Sequence, residues 1–161
     1  MYRRGDPRRA LELAEEAREL SEAGKDEAAL AQAHNILGVL ARHRGDLGTA
    51  EDHLNESLAL AEMLTDPGAQ AAALNNLSLV LADKGDLDRA ESLAQQALRR
   101  CITLGDRHRE AAINNNLADL YHLAGRPEES MSHLKRAVAI FAEVGVPKTE
   151  TRPEIWKLQD W

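Results

Sequence analysis

The sequence predicts an all-α fold of stacked antiparallel helical hairpins. Three observations predict it: a forty-residue internal repeat, an alanine-rich composition poor in aromatics, and helix-start and helix-stop residues that recur in phase with the repeat. Asn35, Asn75 and Asn115 align at the forty-residue step, as do Leu37, Leu77 and Leu117, then Gly45, Gly85 and Gly125, then Ala50, Ala90 and Ser130. A period of this length marks units that cannot bury an apolar face alone and stack to share one core. Alanine is the commonest residue, 27 of 161, and only five residues are aromatic. Close approach of small side chains must therefore build the core, a composition that favours helices.

Taken in order, Met1 to Arg4 align with the last turn of a first-type helix whose remainder is not in the sequence. Asp6 can cap, and Pro7 can occupy the first position of, a helix over residues 7–24. Leu11, Leu13, Ala14, Ala17 and Leu20 form its apolar side. This is a second-type helix without its partner, and the expectation is a fragment or truncated descendant of a larger protein, or a face that packs on another chain. Three full hairpins follow at 26–64, 66–104 and 106–144. Asp26, Asp66 and Asp106 open them, and Gly45-Asp46, Gly85-Asp86 and Gly125-Arg126-Pro127-Glu128 turn them. Residues 145–152 read as a polar connector and 153–161 as a C-terminal capping segment, all within a single domain over 1–161.

At about 100° per residue, Leu74, Leu77, Ser78 and Leu81 share one arc, which should face Ala90, Ala94 and Ala97 of the return helix. Gly38, Ser78 and Ala118 fall at equivalent points where the partner backbone comes near. The lone Cys101 aligns with Ala61 and Phe141 and is expected in the core, and one cysteine excludes an intrachain disulfide. In the last nine residues Ile155, Leu158 and Trp161 recur at helical spacing with Trp156 beside them. Two readings stand: a short helix covering the open end of the third hairpin, or an anchor for a neighbouring molecule, since tryptophan is favoured at binding hot spots.

The stretch from Ala73 to Ala90, with Leu77 and small Ser78 in a first helix, Leu81 after them, Gly85 as breaker and Ala90, Ala94 and Ala97 down a second, resembles the tetratricopeptide repeat. Its Leu-Asn-Asn-Leu segment is similar to repeats of the kinesin-light-chain and bacterial peptide-receptor type, although the first repeat reads His34-Asn35-Ile36-Leu37. The resemblance implies a right-handed superhelical solenoid whose first helices line a concave groove and bind proteins or peptides. Arg152 to Leu158 resembles the ends of large bacterial regulatory ATPases and transcription regulators that carry such repeats. It implies the C-terminal sensor or scaffold part of such a regulator.

The angular count aims Ile36, Val39 and His43, then Asn76, Leu79 and Asp83, then Asn116, Asp119 and Leu123 away from their own partners, flanked by Asn35, Asn75 and Asn115. An Asn amide carries donors and an acceptor and can bridge one peptide unit of an extended ligand. The leading expectation is thus a peptide- or protein-binding groove, against the reading that these asparagines join adjacent repeats. The alternative function is assembly of a homo-oligomer through the uncovered N-terminal helix and the tail of Ile155, Trp156, Leu158 and Trp161. The groove lacks the Lys and Arg pattern that clamps a ligand carboxylate in chaperone adaptors.

Other classes lack their residues. A formal charge of −7 opposes nucleic-acid phosphates. No run nears the roughly 20 apolar residues of a membrane span, so a cytoplasmic chain is expected. There is no glycine-rich phosphate loop, Gly-x-Ser-x-Gly or His-Glu-x-x-His. The six histidines, at 34, 43, 53, 108, 122 and 133, read as dispersed. No enzyme activity, metal or cofactor is expected.

Overall fold

Helix boundaries in the computed structural model follow the Asp and Gly punctuation. It describes residues 7–144. In order come α1 (Pro7–Gly24), α2 (Glu27–His43), α3 (Leu47–Met63), α4 (Pro67–Asp83), α5 (Leu87–Leu104), α6 (Arg107–Leu123) and α7 (Pro127–Val144). The three hairpins are α2–α3, α4–α5 and α6–α7. The expected Asp6 cap, the connector and the C-terminal capping segment lie outside the described residues.

One turn is used six times. Residues 25, 45, 65, 85, 105 and 125, twenty apart, all have positive φ. At each, the next residue donates its N–H to the carbonyl five residues back: Asp26 to Ser21, Asp46 to Ala41, Asp66 to Ala61, Asp86 to Leu81, Asp106 to Cys101 and Arg126 to Tyr121, at 2.8–3.0 Å. This closes the finished helix in a Schellman-type arrangement. The same aspartates then cap the next helix, Asp26 accepting from the Ala29 N–H, Asp46 from Thr49, Asp66 from Gly68 and Ala69, Asp86 from Arg89 and Asp106 from Arg109. Four of the six left-handed residues are glycine, as the conformation prefers. Lys25 and Thr65, each at φ 53°, are not.

The chain divides within α5 into two units, Met1–Ala97 and Leu98–Trp161. In the first, α2 packs on α1, α3 and α4, and α3 also packs on α4. Ala41, Ala50, Leu54, Leu77 and Val80 form a buried cluster, with Leu47, Leu58 and Leu93 against its edge. The arc of Leu74, Leu77, Ser78 and Leu81 is buried as expected, and so are Ala90, Ala94 and Ala97. Ala73 and Val80 are buried as well, so α4 covers more than one face. The close approach at Gly38 is real: a Cβ there would lie 2.5 Å from Leu54 Cγ and 3.2 Å from the Ala50 carbonyl oxygen. Nearby, Ser57 Oγ donates to the Ala31 carbonyl at 2.8 Å.

The apolar side expected on α1 is mostly in solvent. Leu13 is 48% exposed, Leu20 is 66% exposed and Ala17 is exposed, whereas Ala14 is buried and Leu11 half-buried. Ala17 is the counterpart of Ser57, whose hydroxyl bonds to α2, and among the described residues no helix precedes α1 to cover it.

In the second unit α6 packs on α7, with Leu117, Ala118, Leu134 and Ala137 buried and Ser130 Oγ donating to the Ala118 carbonyl at 2.7 Å. Cys101 is fully buried, as expected, and burial pushes its thiol up from the ordinary value. A buried carboxylate was not expected. Glu110 is held by Arg107 at 2.7 Å and Arg136 at 3.4 Å, which supplies the pairing that a buried charge requires.

Two stability outcomes follow from this packing. Gly38→Ala should lower stability by about 1–2 kcal/mol in denaturant unfolding, because overpacking against Leu54 outweighs the roughly 1 kcal/mol helix-propensity gain over glycine. Thr65→Gly should raise stability by about 1 kcal/mol, since it removes a β-branched residue from the left-handed region at some cost in chain entropy. A neutral Gly38→Ala, or a destabilising Thr65→Gly, in the same measurement contradicts these assignments.

Candidate functional site

Helices α2 and α4 carry the candidate residues of the first unit, and α6 those of the second. Between α2 and α4, Asn76 Nδ2 donates to Asn35 Oδ1 at 2.9 Å, and both side chains are half-buried. Two members of the expected row of amides are therefore bonded to each other between neighbouring repeats. The bond uses one amide proton of Asn76 and the carbonyl of Asn35. The Asn35 amide group and the Asn76 carbonyl oxygen keep hydrogen-bonding capacity beyond it.

The surrounding α2 and α4 residues are apolar. Ile36 is 42% exposed, and Val39 and Leu79 are half-buried. One end of this face is closed by an ion pair, Arg42 Nε donating to Asp83 Oδ2 at 2.6 Å and Nη2 to Oδ1 at 3.3 Å. Asp83, expected to point at a ligand, is therefore engaged by its own chain. His43 beside it is exposed, and Asn75 is half-buried. On α6, Asn115, Asn116 and Asp119 are half-buried and Leu123 is 64% exposed.

Sequence reasoning missed two polar pairs inside the hairpins. Asn114 is fully buried. Its Nδ2 donates to the Glu110 carbonyl at 2.8 Å, so its Oδ1 is the atom 2.8 Å from His133 Nδ1. His133 in turn stacks on Tyr121 at 5.2 Å between ring centroids, and the Arg126 guanidinium lies over the other partner of that stack, 4.5 Å from the Tyr121 ring. The equivalent positions of the first hairpin bring His34 and His53 together, Nδ1 to Nδ1 at 3.0 Å. The histidines are thus not all dispersed. The members of each pair are nineteen residues apart and the two pairs lie two forty-residue periods from each other, which is the signal that could have related them.

Among the described residues no three His, Cys, Asp or Glu side chains are grouped as a metal site would require, and no helix is long and apolar enough to cross a membrane.

Comparison with known proteins gives this geometry a family. The chain is similar to BtubC (BKLC) from P. vanneervenii, with 25% identity and a TM-score of 0.70 over 86% of this chain and 58% of that one. It spans little more than half of that relative's length. A putative kinesin light chain from Podosopora anserina with nearly identical TPR-like repeats shares the fold at 18% identity, with a TM-score of 0.69 over 94% of this chain and 74% of that one. RapI in its apo form does so at 15% identity, with a TM-score of 0.63 over 88% and 64%. No curated protein sequence matches. The tetratricopeptide repeat family model matches residues 1–63 and 69–143, across the hairpins and turns described above, and the chain belongs to the tetratricopeptide repeat family.

Proposed function

We propose that this chain is a cytoplasmic, non-enzymatic scaffold that holds an extended peptide of a protein partner on the α2–α4 face of its first unit, as the sensor or interaction module of a bacterial signalling or transcription-regulatory protein. Tetratricopeptide repeats are protein-interaction scaffolds, which supports the general reading. The observation that carries the particular one is the Asn35–Asn76 amide pair beside exposed Ile36. The pair retains a donor group on one residue and an acceptor on the other, the complement of one peptide unit. Val39 and Leu79 next to it suit an apolar ligand side chain. Asp83 is already neutralised by Arg42, so this end of the face asks for no charged ligand. The α6 residues Asn115, Asn116, Asp119 and Leu123 form a separate candidate surface on the second unit.

Selection of a random peptide library on the full chain tests this. Retained peptides should carry an apolar residue within an extended segment. Ile36→Asp should remove binding, and Asn35→Ala should weaken it roughly five- to tenfold, the value of one or two net hydrogen bonds, with circular dichroism unchanged. Binding indifferent to both substitutions removes the site.

A second reading rests on α1. Its exposed Leu13, Ala17 and Leu20 are an apolar stripe at helical spacing, and we propose it as the contact of a homo-oligomer should assembly be the role. Light scattering should then show a dimer or larger species that Leu13→Glu with Leu20→Glu converts to monomer; concentration-independent monomers in both proteins end that reading.

A further inference from the structure

The same two places in each hairpin hold three different pairs. His34 bonds to His53 in the first and Asn114 to His133 in the third, and the same repeat positions in the second are occupied by Leu74 and Leu93. We propose that the His34–His53 pair is an acid-sensitive latch of the α2–α3 hairpin, which holds with one added proton and parts with two.

The argument is a count of hydrogens. The two Nδ1 atoms are 3.0 Å apart, so one of them carries a hydrogen and the other accepts it. A first added proton goes to the outer nitrogen of the donating ring. It leaves an imidazolium donating to a neutral imidazole, a stronger bond than before. A second added proton must go to the accepting Nδ1. Both rings then present N–H groups and positive charges to each other at 3.0 Å, with no acceptor between them.

The Asn114–His133 pair behaves differently. Asn114 Oδ1 accepts from His133 Nδ1–H, and that hydrogen is present whether or not the ring is protonated. The second unit therefore keeps its bond in acid. Leu74 and Leu93 carry no titratable group at all.

The surroundings set where the latch opens. Burial, and then the charge of His53, lower the proton affinity of His34; Arg18 on α1 adds to the lowering, while Glu56 on α3 and Glu22 on α1 oppose it. Arg18 is itself held by Glu15 and Glu22. The unfolded chain protonates His34 near the ordinary histidine value of about 6.5, whereas in the folded hairpin the same ring is held below it. Through that window the unfolded state binds more protons, so stability falls as pH drops, and the loss stops growing once the folded pair is doubly protonated.

Thermal melts of the full chain between pH 7.5 and 4.5 test the latch against two variants that copy the other hairpins. His34→Asn reproduces the acid-insensitive pair of the third hairpin. His34→Leu with His53→Leu reproduces the apolar pair of the second. The unsubstituted chain should lose about 3 °C or more beyond what either variant loses over this range. Equal acid losses in all three overturn the proposal. Should a variant fail to fold, nitrogen-detected NMR of the imidazoles in the unsubstituted chain decides: two separate protonation steps, with the Nδ1 hydrogen bond lost only at the second, support the latch. A single step at the ordinary histidine value, or a bond that survives both, overturns it.

Discussion

Every helix in the described chain ends and the next begins at one shared residue, and that shared residue constrains the rest. At five of the six junctions it is an aspartate whose N–H closes one helix and whose carboxylate caps the next, and at the sixth Arg126 closes α6 through its N–H alone, which leaves no room for a loop. Consecutive helices joined this way pack on each other in the pairs α1–α2, α2–α3, α3–α4 and α6–α7. Placing the turn every twenty residues also makes the helices 17 or 18 residues long, so equivalent side chains meet equivalent neighbours along the chain. The small-residue contacts depend on this register. Gly38 meets Leu54, Ser57 reaches the Ala31 carbonyl and Ser130 reaches the Ala118 carbonyl because the two arms of each hairpin start from the same geometry.

That register separates two uses of polar side chains. Inside the hairpins, polar groups satisfy one another, as Glu110 does with Arg107 and Arg136, because an unpaired buried charge would be strongly destabilising. Between successive first helices the demand is weaker, since water reaches the face. Asn35 and Asn76 bond once and keep capacity over. Packing leaves these polar groups only partly engaged, which is the reason the α2–α4 face is the one proposed for a ligand.

The fold was legible because its signals are local. Asp26, Gly45, Asp66, Gly85, Asp106 and Gly125 each specify a turn from their own chemistry, and the forty-residue spacing relates the turns to one another. Lys25 and Thr65 escaped because their left-handed conformation is imposed by position and not by residue type. The apolar arc of α4 was legible from angular spacing, but the extra burial of Val80 arises from a neighbouring repeat, which a single-helix count omits. The site was less legible for the same reason. Whether Asn76 faces a ligand or Asn35, and whether Asp83 faces a ligand or Arg42, is decided by contacts across forty-one residues. Asn114 was hidden because a polar residue at a leucine position looks like an exposed one until its partner, His133, is placed opposite it.

The single cysteine carries a practical consequence. Cys101 has no surface in contact with solvent, and its backbone carbonyl closes the turn to Asp106. A thiol-specific alkylating reagent reaches such a sulfur only during an opening of the surrounding helices. With no other cysteine in the chain to confuse the signal, its modification rate is a built-in clock for how often the second unit breathes, readable by mass in ordinary buffer without any engineered label.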